Sequence, residues 1–213
     1  MKITKLGHCC LLIEDNGTRI LTDPGAWTTR QNEIIDLDLI LITHEHPDHF
    51  HLDSLKIVME NNPAAQIITN KSVAALLEGK EYSVVIVEDG QSQRIKTALI
   101  QGFGEEHAPI YLSYGQVKNT GYLINDVFFY PGDALTHPKK PIKILALPVV
   151  GPWLKLADAI SYALEIKPEI CFPVHDGMLQ ITGPFHRLPQ TVLQQQGIDF
   201  VLPRENQDII IEL

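Results

Sequence analysis

The sequence predicts an α/β (α+β) chain in which two β-sheets pack face to face and helices cover their outer sides. Short apolar β-like runs occur in two batches along the 213 residues, and each batch contains segments with helical spacing. The composition is that of a globular protein, since 45% of the residues are hydrophobic and 20% are charged. No repeat, low-complexity linker or charge block marks a boundary, so we expect a single domain over residues 1–213.

The first half of the chain alternates strand-like and helix-like segments. After the strand-like run KITKLG, Asn16-Gly17 is a strong hairpin signal between LLIED and TRILT, and LDLILIT predicts a further strand. Apolar residues at helical intervals predict a helix in HLDSLKIVMENN, which ends at Asn62-Pro63. We expect AQIITN to form a strand and KSVAALLEGK a short helix closed by Gly79.

The second half begins with strands and then mixes strands with helices. SVVIVEDGQSQRIKTALIQGFG and TGYLINDVFFYPG are rich in β-formers, and Asn125-Asp126 predicts a hairpin turn. IKILALPVVG and EICFPVH predict buried strands on either side of a helix in LKLADAISYALEIK, which runs up to Pro168. PQTVLQQQGI predicts a last helix and DIIIEL a last strand.

Charge and cysteine content exclude several classes of protein. The net charge of −9 disfavours sequence-independent nucleic-acid binding, and no apolar run approaches the roughly 20 residues of a membrane span. The three cysteines are odd in number and two are adjacent, which indicates a reducing cytoplasm and not a disulfide framework. Cys9 and Cys10 are interpreted as buried strand residues, with soft metal ligands as the weaker alternative.

The stretch THEHPDHF, residues 43–50, carries an unusual density of metal-ligating groups. His44 and His46 lie two residues apart, so their side chains project to the same side of an extended segment. Pro47 prevents a regular helix, and Asp48 and His49 follow around the bend. Imidazole and carboxylate together suit zinc, and also iron or manganese. The stretch therefore predicts ligands for two neighbouring cations.

Two cations need more ligands than one loop supplies, and three further candidates follow apolar strands. His107 ends GFGEEH, Asp133 follows Gly132 in FFYPGD, and His175 closes ICFPVH. Asp23 also ends a strand, in ILTDPG, and two interpretations stay open for it. It is either a turn residue before a proline or a residue that hydrogen-bonds a ligating imidazole.

The remaining histidines have no comparable pattern. We expect His51 to pack under the metal-binding stretch or to hydrogen-bond one of its ligands. His8, His137 and His186 have no independent support as site residues, so a structural or exposed position is expected for each. Glu45 is expected to point away from the metals into solvent.

The residues His44-Glu45-His46-Pro47-Asp48-His49 read H-x-H-x-D-H, which resembles the signature of the metallo-β-lactamase superfamily. The resemblance covers nearly the whole chain, through GHCCLLIEDNGTRILTDPG, GFGEEHA, YPGDAL and PVHDG in the expected order. It is closest to the small single-domain branch, which includes ascorbate-6-phosphate lactonase-like proteins and many uncharacterised metal-dependent hydrolases.

This resemblance implies a fold, a ligand set and an activity. The implied fold is a four-layer αββα sandwich. The implied centre is dinuclear: His44, His46 and His107 hold one zinc, Asp48, His49 and His175 hold the other, and Asp133 bridges them. The chain has no long insertion resembling the arm that recognises transfer RNA precursors, which disfavours an RNA-processing nuclease.

The expected activity is hydrolysis by a hydroxide bound between the two metal ions, with Asp48 orienting the nucleophile. An ester, lactone or amide of a small molecule is the leading substrate. A phosphodiester, an iron-dependent oxidation on the same scaffold and a non-catalytic metal-stabilised binding role remain alternatives. Trp153, Phe103 and Phe185 could wall the substrate pocket or belong to the core. No nucleic-acid or membrane partner is expected, and a homo-oligomer stays open.

Overall fold

A computed structural model describes residues 1–202 and 210–212 of the chain, which form two seven-stranded sheets and four α-helices. The first sheet contains, in spatial order, β14 (Ile210–Glu212), β1 (Lys2–Gly7), β2 (Cys10–Asp15), β3 (Thr18–Thr22), β4 (Leu39–Ile42), β5 (Gln66–Thr69) and β6 (Ser83–Ile86). The second contains β13 (Asp199–Phe200), β12 (Ile170–Val174), β11 (Ile144–Pro148), β10 (Phe128–Tyr130), β9 (Gly121–Ile124), β8 (Ala98–Phe103) and β7 (Ser92–Ile95). The helices are α1 (Leu52–Asn61), α2 (Lys71–Leu76), α3 (Leu156–Ile166) and α4 (Gly183–Gln194).

Strand β4 shows why the sheets are covered on both sides. Its residues are all apolar and all buried, and successive side chains of a strand point to opposite faces. Leu39 and Leu41 join the central core between the two sheets, whereas Ile40 and Ile42 join an outer core beneath α1 and α2. Such continuous apolar runs are typical of strands that are buried on both faces.

Three cores therefore separate four layers. The central core combines both sheets, the second core lies between the first sheet and its helices, and the third lies between the second sheet and α3 and α4. The predicted αββα sandwich is confirmed by this arrangement. No helix in the described part of the chain has the length and apolar character needed to cross a membrane.

Both predicted hairpin turns are confirmed. Asn16 and Gly17 have φ values of 47° and 77° between the antiparallel strands β2 and β3. Asn125 and Asp126 have φ values of 52° and 55° between β9 and β10. Positive φ at both central positions is the requirement of the two-residue turns that favour these residue types.

The last helix differs from the prediction. It was expected to begin at Pro189, but α4 begins at Gly183 and contains Pro189 in its interior. Pro184 sits in the first turn, where a helix has no internal partner for the backbone N–H. Pro189 is buried on the same face as His186 and Leu193, so packing offsets the hydrogen bond that the proline removes. Of the predicted strand DIIIEL, only residues 210–212 belong to the described residues, and they form β14.

Strand direction brings the candidate ligands to one edge of the sandwich. β3 and β4 are parallel, as are β11 and β12, so within each pair the carboxyl ends lie at the same edge. Asp23 follows β3, Thr43 and His44 follow β4, and His175 follows β12. The polar residues gathered at this edge form the candidate site.

Candidate metal centre

The loop after β4 supplies four of the predicted ligands within one tight turn. The amides of His49 and Phe50 both donate to the carbonyl of His46, at 2.9 and 2.8 Å. His44 and His49 are thereby buried with ring centroids 4.1 Å apart, while His46 and Asp48 remain partly exposed. The turn therefore places the imidazoles of His44 and His49 in the interior, and it leaves the His46 imidazole and the Asp48 carboxylate nearer to the surface.

Asp133 lies at the centre of the ligand set. Its Oδ1 is 3.1 Å from Nε2 of His49, and its Oδ2 is 2.9 Å from Nε2 of His175. Oδ2 is also 3.3 Å from Nε2 of His107 and 3.9 Å from Nε2 of His44. A carboxylate in this position can contact cations on both sides.

The seven candidates divide into two groups around Asp133. One potential ligand atom from each of His44, His46, His107 and Asp133 lies within 4.8 Å of the others. On the other side, Oδ2 of Asp48 is 3.4 Å from Nε2 of His175 and 3.7 Å from Nε2 of His49. The first group contains the residues that the resemblance implies for one cation together with Asp133, whereas the second group of mutually close ligand atoms consists of His8, Cys9, His49 and His175. The assignment of Asp48 to a second cation stays a prediction.

Five inward-facing atoms of this centre make no well-aligned hydrogen bond, although carboxylate oxygens lie close to the imidazoles. Nε2 of His44, His49, His107 and His175 and Oδ1 of Asp133 are buried and unpartnered. A buried polar atom left unsatisfied costs about 1–3 kcal/mol, so five such atoms converging on one space indicate a missing binding partner. The residues present therefore fit divalent metal ions.

The outward nitrogens of the same imidazoles are held by the protein. Nδ1 of His107 donates to the carbonyl of Ala108 at 2.5 Å, and Nδ1 of His175 donates to the carbonyl of Val150 at 2.6 Å. A carbonyl oxygen only accepts, so each Nδ1 carries a proton, and in the neutral ring Nε2 is left to present a lone pair inward. Such bonds set the tautomer and the ring orientation of ligating histidines.

Asp23 connects both halves of the centre. Its Oδ2 accepts from Nδ1 of His49 at 2.7 Å, from the Thr43 hydroxyl at 2.8 Å and from the Tyr130 hydroxyl at 2.5 Å. Its Oδ1 accepts from the Thr43 amide at 2.8 Å, and the Thr43 hydroxyl oxygen is 2.9 Å from Nδ1 of His44. Of the two interpretations of Asp23, the one in which it orients an imidazole agrees with this geometry.

Burial and neighbouring charges set the protonation of the ligands. Burial raises the pKa of the Asp133 carboxyl, but the imidazoles of His49 and His175 outweigh it and hold that pKa well below its usual range. Burial lowers the pKa of His44 well below its ordinary value. Burial also lowers the pKa of His49 and His175, but the Asp133 carboxylate outweighs it and raises both pKa values well above the ordinary value, so metal binding there would release protons. An ionised carboxylate and a neutral imidazole are the forms that bind divalent metals.

His8 lies in the centre although its sequence pattern did not assign it there. Its Nδ1 accepts from the Gly177 amide at 3.1 Å, so its Nε2 carries the proton and donates to Oδ2 of Asp48, also at 3.1 Å. Cys9, expected in a strand, occupies the turn between β1 and β2, and its Sγ lies within 4.8 Å of ring nitrogens of His49 and His175. The sequence signal for both residues is the stretch GHCC, in which two types of potential metal ligand, histidine and cysteine, follow the end of a strand.

Two glycines allow the backbone to approach the ligands closely. A Cβ on Gly25 would lie 1.8 Å from the carbonyl oxygen of Asp48. Gly132 has a φ of 64°, and a Cβ there would lie 2.3 Å from Oδ1 of Asn119, which accepts from the Asp133 amide at 3.0 Å. Any larger residue at either position would displace a ligand-bearing loop.

A cavity of about 190 Å³ opens onto the ligands His46, Asp48, His107, Asp133 and His175. Its other lining residues are Trp27, Ile110, Pro152, Trp153 and Met178. Trp153, the predicted substrate-binding residue, also donates from Nε1 to Oδ2 of Asp133 at 2.9 Å. Phe103 and Phe185, the other suggested wall residues, instead pack against the core between the second sheet and its helices.

The other histidines take structural or exposed positions. His51 is the N-cap of α1, where Nδ1 accepts from the Ser54 amide at 3.4 Å. His186 is buried and its Nε2 is 2.9 Å from Oδ2 of Asp176. His137 is exposed on a loop. None of the three lines the cavity at the ligands.

Comparison with known proteins agrees with the fold. A family model described as "Beta-lactamase superfamily domain" matches residues 2–175. Protein Rv0786c of Mycobacterium tuberculosis is 34% identical over 84% of this chain and 85% of its own. A UPF0173 metal-dependent hydrolase of Staphylococcus carnosus is 25% identical over 82% and 85%. The structure of Igni18, a metallo hydrolase from Ignicoccus hospitalis, superposes with a TM-score of 0.79 at 19% identity, covering 100% of this chain and 98% of that one.

Proposed function

The chain belongs to the β-lactamase superfamily and is a metal-dependent hydrolase, and we propose that it cleaves an ester, lactone or amide bond of a small molecule at a dinuclear centre. The observation that carries this proposal is the convergence of four unpartnered Nε2 atoms and one carboxylate oxygen on a single buried space. Zinc suits this mixture of imidazole and carboxylate, and manganese or iron could replace it.

The proposed ligand assignment follows the two groups. His44, His46 and His107 would hold one cation, and Asp48, His49 and His175 would hold the other. Asp133 would contribute to both, which its contacts on both sides support. The opening of the cavity at His46 and Asp48 would admit the substrate next to both cations.

The chain's own residues orient the reactants. Two divalent cations, when bound, lower the pKa of a shared water and polarise the oxygen of the bond to be cleaved. Asp48 lines the cavity, and His8 donates to its Oδ2, which fixes the carboxylate plane and leaves Oδ1 to orient the attacking water and receive its proton. Trp153 holds Oδ2 of Asp133 at the mouth of the same cavity.

Two substitutions test the metal-dependent mechanism. His46→Ala and Asp133→Ala should each lower metal content and abolish hydrolysis while circular dichroism stays that of the parent. His137→Ala, which removes an exposed histidine outside the centre, is the matched control and should leave metal content and hydrolysis unchanged. Full hydrolytic activity in either centre variant would rule the mechanism out.

The bond type is tested with a substrate panel. Lactones and p-nitrophenyl esters should be hydrolysed faster than bis-p-nitrophenyl phosphate by the zinc-loaded protein. Faster hydrolysis of the phosphodiester would instead indicate a phosphodiesterase that uses the same centre. Iron as the main bound metal, together with oxygen consumption, would favour an oxidoreductase instead.

We further propose that the protein acts in a reducing cytoplasm on a small-molecule substrate. Cys9, Cys10 and Cys171 are all free and buried, which is typical of cytoplasmic proteins. To test this location, cells are lysed in a thiol-blocking reagent, the protein is denatured at once, and the blocked cysteines are counted. Finding fewer than three blocked thiols would contradict this location.

A further inference from the structure

The mouth of the metal centre is apolar on every side that the ligands do not occupy. Apart from the proposed ligands, the lining residues within 1–202 and 210–212 are aromatic, aliphatic, proline or methionine, with no lysine or arginine among them. Sites that hold phosphate or carboxylate groups usually present arginine or lysine to them. The walls of this cavity therefore suit an uncharged substituent.

The two tryptophans of the wall are held in place. The Trp27 ring packs on His8 with centroids 4.5 Å apart. The Trp153 indole donates to Asp133 and lies over Gly151, where a Cβ would be 2.7 Å from Nε1. Trp27 is nevertheless 47% exposed and Met178 39% exposed, so apolar surface faces solvent at the entrance. Large exposed apolar groups beside a site are typical of ligand-binding surfaces.

The size of the cavity limits the substituent. Its volume of about 190 Å³ is below the roughly 300–1,000 Å³ of sites for drug-sized ligands. At roughly 30 Å³ for a water-sized group, it holds about six non-hydrogen atoms, and because five proposed ligands line it the bond to be cleaved shares this space. An apolar group of no more than about six carbon atoms would fit.

We propose that this mouth is a binding site for a short apolar group, and that the substrate is an uncharged ester, lactone or amide whose apolar group has no more than about six carbons. This preference depends on the apolar wall side chains, of which Trp27, Ile110 and Met178 stand beside Pro152 and Trp153. The hydrolytic part rests on the proposed function, whereas binding of the apolar group does not.

Binding can be measured without hydrolysis. The chain contains only two tryptophans, and both line the cavity, so intrinsic fluorescence reports its occupancy. Methyl ketones from butanone to decan-2-one are uncharged and have no bond to hydrolyse. The dissociation constant should fall by up to about fourfold for each added CH₂ until the alkyl chain has about six carbons, and then level off. A dissociation constant independent of chain length would overturn the inference.

Variants locate the site. Met178→Ser and Ile110→Ser should weaken binding of octan-2-one by about tenfold and that of butanone much less, because the longer chain fills more of the apolar wall. Leu188→Ser, on the exposed face of α4 and outside the cavity, should leave both unchanged. Met178→Lys should weaken ketone binding further. Equal effects of Met178→Ser and Leu188→Ser would contradict the assignment.

Kinetics then connect binding to turnover. For p-nitrophenyl esters from acetate to octanoate, kcat/KM should rise up to about six acyl carbons, and Met178→Ser should flatten this rise. Chain-length-dependent ketone binding without hydrolysis of any ester would refute the proposed function and leave the apolar site standing. Ester hydrolysis with no dependence on chain length in either assay would refute the apolar site alone.

Discussion

Replacing Asp23 by asparagine changes one oxygen of a buried carboxylate into an amide nitrogen. Asp23 is fully buried, and three donors converge on its Oδ2 while the Thr43 amide donates to Oδ1. The asparagine oxygen would keep the three-donor position, so its NH₂ group would face the Thr43 N–H. One buried donor then loses its acceptor, and the bond to His49 loses its charge.

The expected cost follows from these bonds. A stranded buried N–H costs about 1–3 kcal/mol, and charge-assisted bonds are roughly twice as strong as neutral ones. Removal of a buried charge offsets part of this loss. We expect Asp23→Asn to lower the free energy of unfolding of the metal-free protein by roughly 2–4 kcal/mol. Because His49 loses its orienting carboxylate, we expect zinc affinity at the second cation position to fall by about 10- to 100-fold.

Two assays measure these effects. Denaturant unfolding of metal-free protein gives the free energy, and competitive zinc titration gives the affinity at each position. Asp36→Asn is the matched control, since Asp36 is exposed and its φ of 59° suits asparagine equally well. If Asp23→Asn matched the parent protein in both measurements, the role assigned to the Asp23 network would be wrong.

Four further predictions concern the same centre. Gly25→Ala should lower the free energy of unfolding by about 3 kcal/mol and reduce zinc stoichiometry, because its Cβ would overlap the Asp48 carbonyl; chemical denaturation and metal analysis measure this. His8→Ala should lower the affinity for the second cation by about tenfold, and His8→Gln should restore part of it, as measured by zinc titration. Trp153→Phe keeps an aromatic wall but removes the bond to Asp133, so kcat should fall by about fivefold with little change in KM. Removal of zinc by a chelator should lower the free energy of unfolding by about 3 kcal/mol relative to protein with zinc at 100 times its dissociation constant. A thermal scan should show a lower melting temperature, which added zinc should restore.

Each of these results has a contrary outcome. Parental stability and metal content in Gly25→Ala would show that the loops can separate without cost. Equal zinc affinity in His8→Ala and the parent would remove His8 from the positioning of Asp48. An unchanged kcat in Trp153→Phe would make the indole a wall residue alone, and an unchanged melting temperature after chelation would separate metal binding from folding.

Local patterns in the sequence were sufficient for most of the architecture. The buried strand β4, the helix α1 and the Asn-Gly and Asn-Asp turns each have a signal within a few residues, and each was confirmed. The start of α4 was missed because proline is a helix breaker locally, whereas burial of Pro189 against the third core decides the outcome. Such tertiary compensation has no local signature.

Part of the candidate site could also be predicted from local sequence patterns. The dense stretch at residues 43–50 could be singled out because residue types that ligate metals cluster there with strand spacing. His8 was not assigned, because the stretch GHCC shows only that ligand types are present, whereas the role of His8 depends on a contact with Asp48 across 40 residues and on an amide from Gly177. Phe103 and Phe185 were suggested for the cavity wall on residue type, but side-chain direction, which sequence alone does not show, places them in a core.

The central claim is that seven side chains form two adjoining cation sites with one shared carboxylate. Anomalous diffraction at the zinc absorption edge from crystals of the zinc-loaded protein tests it most directly. We expect two peaks about 3.5–4 Å apart, with Asp133 between them. No peak among these residues, or a single peak at saturating zinc, would contradict the account.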